Sequence, residues 1–144
     1  MILGVLKSSL ISIGIAFLVQ VALDLLGSRY IYDFLGQHMI NIQLALLAVN
    51  AATLGIVLTK LRDLVDKGVD PAAFKGTKNE MLLSIREQIA LIVVVFVVLS
   101  LQSAKNFSLM VPSEVFDTLL LACFAYELII LYDTANSVFV LLDD

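Results

Sequence analysis

Ile89-Ala90-Leu91-Ile92-Val93-Val94-Val95-Phe96-Val97-Val98-Leu99-Ser100-Leu101 is the purest hydrophobic stretch in the chain. A spanning helix needs about 20 largely apolar residues, because each adds about 1.5 Å across a hydrocarbon core about 30 Å thick. With its flanks the stretch reaches that length, and we read a span over about residues 89–104. Upstream, Thr77-Lys78-Asn79-Glu80 matches a capping box and predicts a helix start. The turns between, Met81 to Gln88, are amphipathic and are expected at the interface.

The rest of the chain repeats this pattern. Of 144 residues, 60% are hydrophobic and 15% charged, with a mean hydropathy of +1.00. Soluble domains average roughly half apolar and a quarter charged, so a water-soluble globule is excluded. Three further apolar blocks predict spans at about 8–26, 39–58 and 115–133, giving an all-α polytopic membrane protein, a four-helix bundle in a single domain, 1–144. The first span ends at Gly27-Ser28-Arg29 and the second runs on past Thr59 until Gly68. Pro112-Ser113-Glu114 opens the fourth, with serine as the cap. The connector from Ser28 to His38 is aromatic, and Tyr30, Tyr32 and Phe34 suit an interface. Lys7 before an apolar stretch resembles a signal peptide, but no small-x-small cleavage site follows, so the segment is expected to persist as a span. In an alternative three-span reading, that first segment lies on the membrane surface.

Basic residues set the expected orientation. Lys60, Arg62, Lys67, Lys75, Lys78 and Arg86 all lie between spans two and three, against Arg29 in the first connector and Lys105 in the third. By the positive-inside rule the 60–87 loop, a short helical hairpin, is cytosolic, and four spans then place both termini there too. The acidic end Asp143-Asp144 weighs little in that rule. The expected address is a bacterial inner membrane.

Glu127 carries the most information about function. About 12 residues into span four, it lies roughly 18 Å below the surface, where an ionised carboxylate costs at least a few kcal/mol. It must therefore be protonated, paired or wetted. The readings are a hydrogen-bonded fastener between helices, a water-lined cavity or pore, and a proton relay. Helical spacing groups it with Phe116, Leu120 and Cys123 on one side and Ile130, Leu131 and Thr134 on the other, an apolar stripe that could gate by dewetting. Asp133 and Asn136 fall near the cytosolic mouth. Gln20 and Asp24 share a face of span one, and Asp24 can snorkel to headgroup water. Among the polar residues of span two, Asn41, Gln43, Asn50 and Thr53, Asn50 is central and needs a partner across a helix interface; Glu127 matches it in depth.

Small residues mark faces suited to close packing: Ser8, Ser12 and Ala16 in span one, and Ala48, Ala51, Ala52 and Gly55 in span two. Span three, without a small or polar centre, reads as a lipid-facing wall. Lys60, Arg62 and Arg86 suit anionic headgroups, or else a cytosolic ligand or regulator. The 60–87 loop holds six bases and five acids and no phosphate cradle. Cys123 reads as packing. One His and one Cys at no ligand spacing argue against zinc, and no metal, other cofactor, catalytic group or nucleic-acid motif is expected. No repeat of about 20 to 50 residues suggests an inverted-repeat carrier.

In layout, with four short helices, a compact hairpin at Lys60 to Arg86 and an acid in the last span, the chain resembles small membrane effectors of bacterial anti-phage defence. That resemblance implies an oligomeric pore, silent until a cytosolic signal arrives, that then depolarises the membrane. Two functional expectations follow. One is an oligomeric channel of four or more protomers, passing cations weakly over anions. The other is a non-conducting membrane subunit that anchors or regulates a partner.

Overall fold

The computed structural model describes residues 2–104 and 111–142. Lys105-Asn106 and Asp143-Asp144 lie outside the described residues. Four long helices follow one another: α1 (Ile2–Leu26), α2 (Tyr30–Asp66), α3 (Lys75–Ser103) and α4 (Ser113–Leu142). Each is long and apolar enough to cross a membrane, so the chain is a multi-pass membrane protein by length and composition. At about 1.5 Å per residue, the 37 residues of α2 exceed a bilayer core by several turns. That excess forms one arm of the hairpin that Thr59 to Arg86 builds with the start of α3.

Glycine ends two of the helices. Gly27 (φ +61°) and Gly68 (φ +96°) adopt left-handed backbone, which costs a residue without Cβ little. After each, the chain closes a Schellman pair: Gly27 N–H donates to Asp24 O and Ser28 to Leu23 O, and Gly68 donates to Val65 O and Val69 to Leu64 O.

Two expected boundaries move. No aromatic connector separates α1 from α2, because α2 already begins at Tyr30, so Tyr32 and Phe34 lie in its first turns. The start of α3 is not the capping box at Thr77. Asp70 instead accepts from Ala72 N–H at 2.9 Å, Pro71 opens a short 3-10 turn (Pro71–Phe74), and α3 continues directly from it at Lys75. Proline supplies a preset φ at the one position where its missing N–H is not needed.

α4 is the axis of the bundle: α1, α2 and α3 all pack on it, and α2 also packs on α3. In the most apolar 18-residue stretch of α4, 56% of residues are buried, against 17% in each of the other helices. The buried positions of α2, namely Tyr32, Leu35, Met39, Gln43, Asn50, Val57 and Leu61, recur at intervals of three, four and seven. Those of α3, Met81, Gln88, Val95 and Val98, do the same. This is the period at which one stripe stays turned to a neighbour along the whole helix.

The main apolar cluster joins Leu35 and Met39 to Val95, Val98, Phe116 and Leu120, while Val57, Leu61 and Met81 pack a smaller one within the hairpin. Span three is thus a wall on one side only: Val93, Val94, Phe96 and Val97 face outward, and Val95 and Val98 face the core.

Candidate functional site

The site is assembled where the buried stripes of α2, α3 and α4 carry polar residues. Asn50 Nδ2 donates to Ser84 Oγ at 2.8 Å and to Gln88 Oε1 at 2.9 Å. Ser84 Oγ also shares a 3.1 Å hydrogen bond with Thr134 Oγ1. One layer therefore ties three helices together. The expected Asn50–Glu127 pair does not form, because Asn50 is committed to α3. Gln88, expected at the interface, is fully buried.

Glu127 lies elsewhere on the same stripe. It and Gln43 are both 0% exposed, and neither has a hydrogen-bond partner among the described residues. Their level follows from helix arithmetic. α2 and α4 run in the same direction, Asn50 and Thr134 meet through Ser84, and Gln43 and Glu127 each stand seven residues earlier. Both therefore lie about 10.5 Å from that layer, towards the end opposite the hairpin. Asn50 Oδ1 and Gln88 Nε2 also lack partners among the described residues. A buried polar group left unpaired costs about 1–3 kcal/mol, and a charged one more, so this concentration is what a structural core avoids.

Towards the hairpin end the layer meets a cavity of about 640 Å³ between α1, α3 and α4, whose lining includes Ser8, Glu80, Ser84, Glu87, Asp133, Thr134 and Asn136. Asp133 and Asn136 are exposed there. Tyr126 O–H donates to Glu87 Oε2 at 3.2 Å at its edge. Ser84 and Thr134 thus belong both to the cavity wall and to the interhelical layer. The opposite direction is apolar: Cys123, Leu120 and Phe116 follow Glu127 on α4, beside Met39, Leu35 and Val95.

At the far end Arg29 bridges to the buried Asp117 of α4 at 3.2 Å and lies over the Tyr32 ring at 5.7 Å. Along the exposed side of α2, Tyr30 stacks on Phe34 with ring centroids 6.2 Å apart, and His38 meets Phe34 at a tilt with centroids 5.0 Å apart. Gln20 accepts a hydrogen bond from Thr118, and Asp24 is exposed.

Of the small-residue faces, Ser12 and Ala16 are buried and Ser8 is half-buried on α1, whose packing is on α4. Ala48, Ala51, Ala52 and Gly55 lie on the outer side of α2, away from the chain's own core. Lys60, Arg62 and Arg86 are exposed on the hairpin.

Sequence reasoning missed Asp117, Ser84 and Gln88. A seven-residue spacing was the available signal: Met81, Gln88 and Val95 on one helix, Gln43, Asn50 and Val57 on another. No protein-family model, curated protein or solved structure matches the chain.

Proposed function

We propose that this protein is a gated, cation-preferring channel of the membrane in which each protomer carries its own polar path. The supporting observation is the buried Gln43–Glu127 level, which stands about two helical turns from a cavity open at the hairpin end. An intramembrane acid without a partner marks an ion or proton pathway by default. This differs from a ring of carboxylates at a shared axis, because Glu127 is covered by its own chain.

The apolar half from Cys123 to Phe116 acts as the gate. Narrow apolar passages exclude water, and therefore ions, until they widen. With its six bases, the hairpin lies in the cytosol, where a ligand or regulator acts on it. The outward small face of α2 supports association of four or more protomers. The resemblance to anti-phage effectors gives this opening a purpose, depolarisation of a bacterial inner membrane.

A second reading is the non-conducting subunit that anchors or regulates a partner. It is favoured by the enclosure of Glu127 within its own protomer, where it is 0% exposed rather than turned to a shared axis, and by the continuous apolar packing of the far half. Planar-bilayer recording of the wild type, Leu120→Ser and Leu120→Ser/Glu127→Gln separates the two. A cation leak in the single variant, with weaker cation preference in the double, supports the channel. A folded Leu120→Ser oligomer without current supports the subunit.

A further inference from the structure

We propose that the level formed by Glu127 and Gln43 is a binding site for one dehydrated monovalent cation, for which Na⁺ serves as the probe, reached from the hairpin-end cavity. Three oxygens without a hydrogen-bond partner among the described residues stand at this level: both carboxylate oxygens of Glu127 and the amide oxygen of Gln43. All are hard donors of the kind that suits cations without soft-ligand preference.

Charge selects the valence. Among the described residues, the buried polar set is Ser12, Gln43, Asn50, Gln88, Asp117, Glu127 and Thr134, with no lysine or arginine. One carboxylate and one monovalent ion leave the core neutral, whereas a divalent ion leaves a net positive charge in hydrocarbon.

The route is marked by further acceptors. Ser84 and Thr134 line the cavity. Asn50, bonded to Ser84, keeps an Oδ1 without a partner among the described residues, between the cavity and the Glu127 level. An ion entering there meets the oxygens of the Asn50 layer, then about 10.5 Å further on those of Glu127 and Gln43, and then the apolar plug at Cys123 and Leu120, so the site is a dead end while the far half stays packed.

The site deepens the channel reading, yet binding is measurable without transport. A membrane-permeant carbodiimide adds to protonated intramembrane carboxyls, taking up the acid proton to form an O-acylisourea, so a metal ion bound in place of the proton protects. The full chain in nanodiscs is treated with it in NaCl or in choline chloride of equal ionic strength, and the peptide containing Glu127 is quantified by mass spectrometry. Labelling is expected in choline. It is expected to slow about tenfold once Na⁺ reaches roughly ten times its dissociation constant, by simple mass action. CaCl₂ at equal ionic strength is expected to give no protection, and Gln43→Met to remain labelled while losing most of the Na⁺ protection.

Equal labelling rates for wild type in Na⁺ and choline overturn the proposal in favour of a neutral acid that holds only its proton, and no labelling in either overturns it by showing that Glu127 is not reached from the cavity. The wild-type comparison needs no variant to fold. Na⁺ protection in a protein that passes no current would keep the site and remove conduction. Current without protection would do the reverse.

Discussion

The two halves of the bundle share α2, α3 and α4, yet they hold together differently. In the half away from the hairpin, Leu35, Met39, Val95, Val98, Phe116 and Leu120 interdigitate, with Arg29 and Asp117 closing the end. In the half towards the hairpin, Asn50, Ser84, Gln88 and Thr134 bond across helices, and Gln43 and Glu127 remain unpartnered among the described residues. Lipid tails are as apolar as leucine, so helices in a membrane gain little from hiding apolar surface from each other. Shape complementarity carries the first half, and directional bonds carry the second. The first is expected to be intolerant of polarity, and the second to lose stability in steps of one hydrogen bond.

Leu120→Asp breaks the comparison hardest. A carboxylate at mid-helix costs about 2.5–3.5 kcal/mol on insertion scales, so the variant is expected to accumulate poorly and to unfold early in an SDS titration. Wild-type yield and midpoint would show that the apolar half is hydrated.

Asn50→Leu removes two donor contacts and leaves Ser84 and Gln88 short of a partner. A loss of about 1–2 kcal/mol is expected, with an Asn50/Gln88 double-mutant cycle showing coupling of about 0.6 kcal/mol and at most about 1.7. Additive single effects would mean that the layer is not a network.

Arg29→Gln tests the far-end clasp. The Arg29 side chain is 62% exposed and that of Asp117 only 6%, and glutamine keeps a donor for the buried carboxylate, so a loss of about 1 kcal/mol is expected. A loss larger than that of Asn50→Leu would move the main polar fastening to the opposite half.

The smallest change in protomer stability is expected at Gly55, where an added Cβ meets nothing within 4 Å. Gly55→Ala is expected to leave the protomer unchanged or to stabilise it by up to about 1 kcal/mol. Ala52→Leu, on the same outer side, is expected to shift the oligomer distribution in native mass spectrometry without destabilising the protomer. An unaltered distribution would remove this face from any contact between copies.

Much of the architecture was legible as hydropathy and punctuation. Four apolar blocks became four helices, and Gly27 and Gly68 ended the helices they were expected to end. The start of α3 was not, because two cap signals lay within ten residues, and Asp70-Pro71 prevailed over Thr77-Glu80 by starting the chain turning earlier. The site was legible as single residues. Glu127, Asn50 and Gln43 stood out by being polar in apolar blocks. Their partnerships did not, because depth along a helix restricts which residues can meet without saying which helix stands opposite. Asn50 and Glu127 agreed in expected depth, yet the register set by the Ser84–Thr134 contact puts Glu127 at the level of Gln43, seven residues from the Asn50 layer.

The sequence alone determined a multi-pass helical membrane protein, the punctuation of its helices and the concentration of bases in one hairpin, because these depend on composition and local backbone preference. The tertiary structure decided that α4 is the axis, that Val95 points inward while Val94 points out, and that Glu127 is enclosed by its own chain. Hydropathy cannot make those choices: in hydrocarbon, a valine against lipid and a valine against another helix have nearly the same solvent, and packing alone distinguishes them.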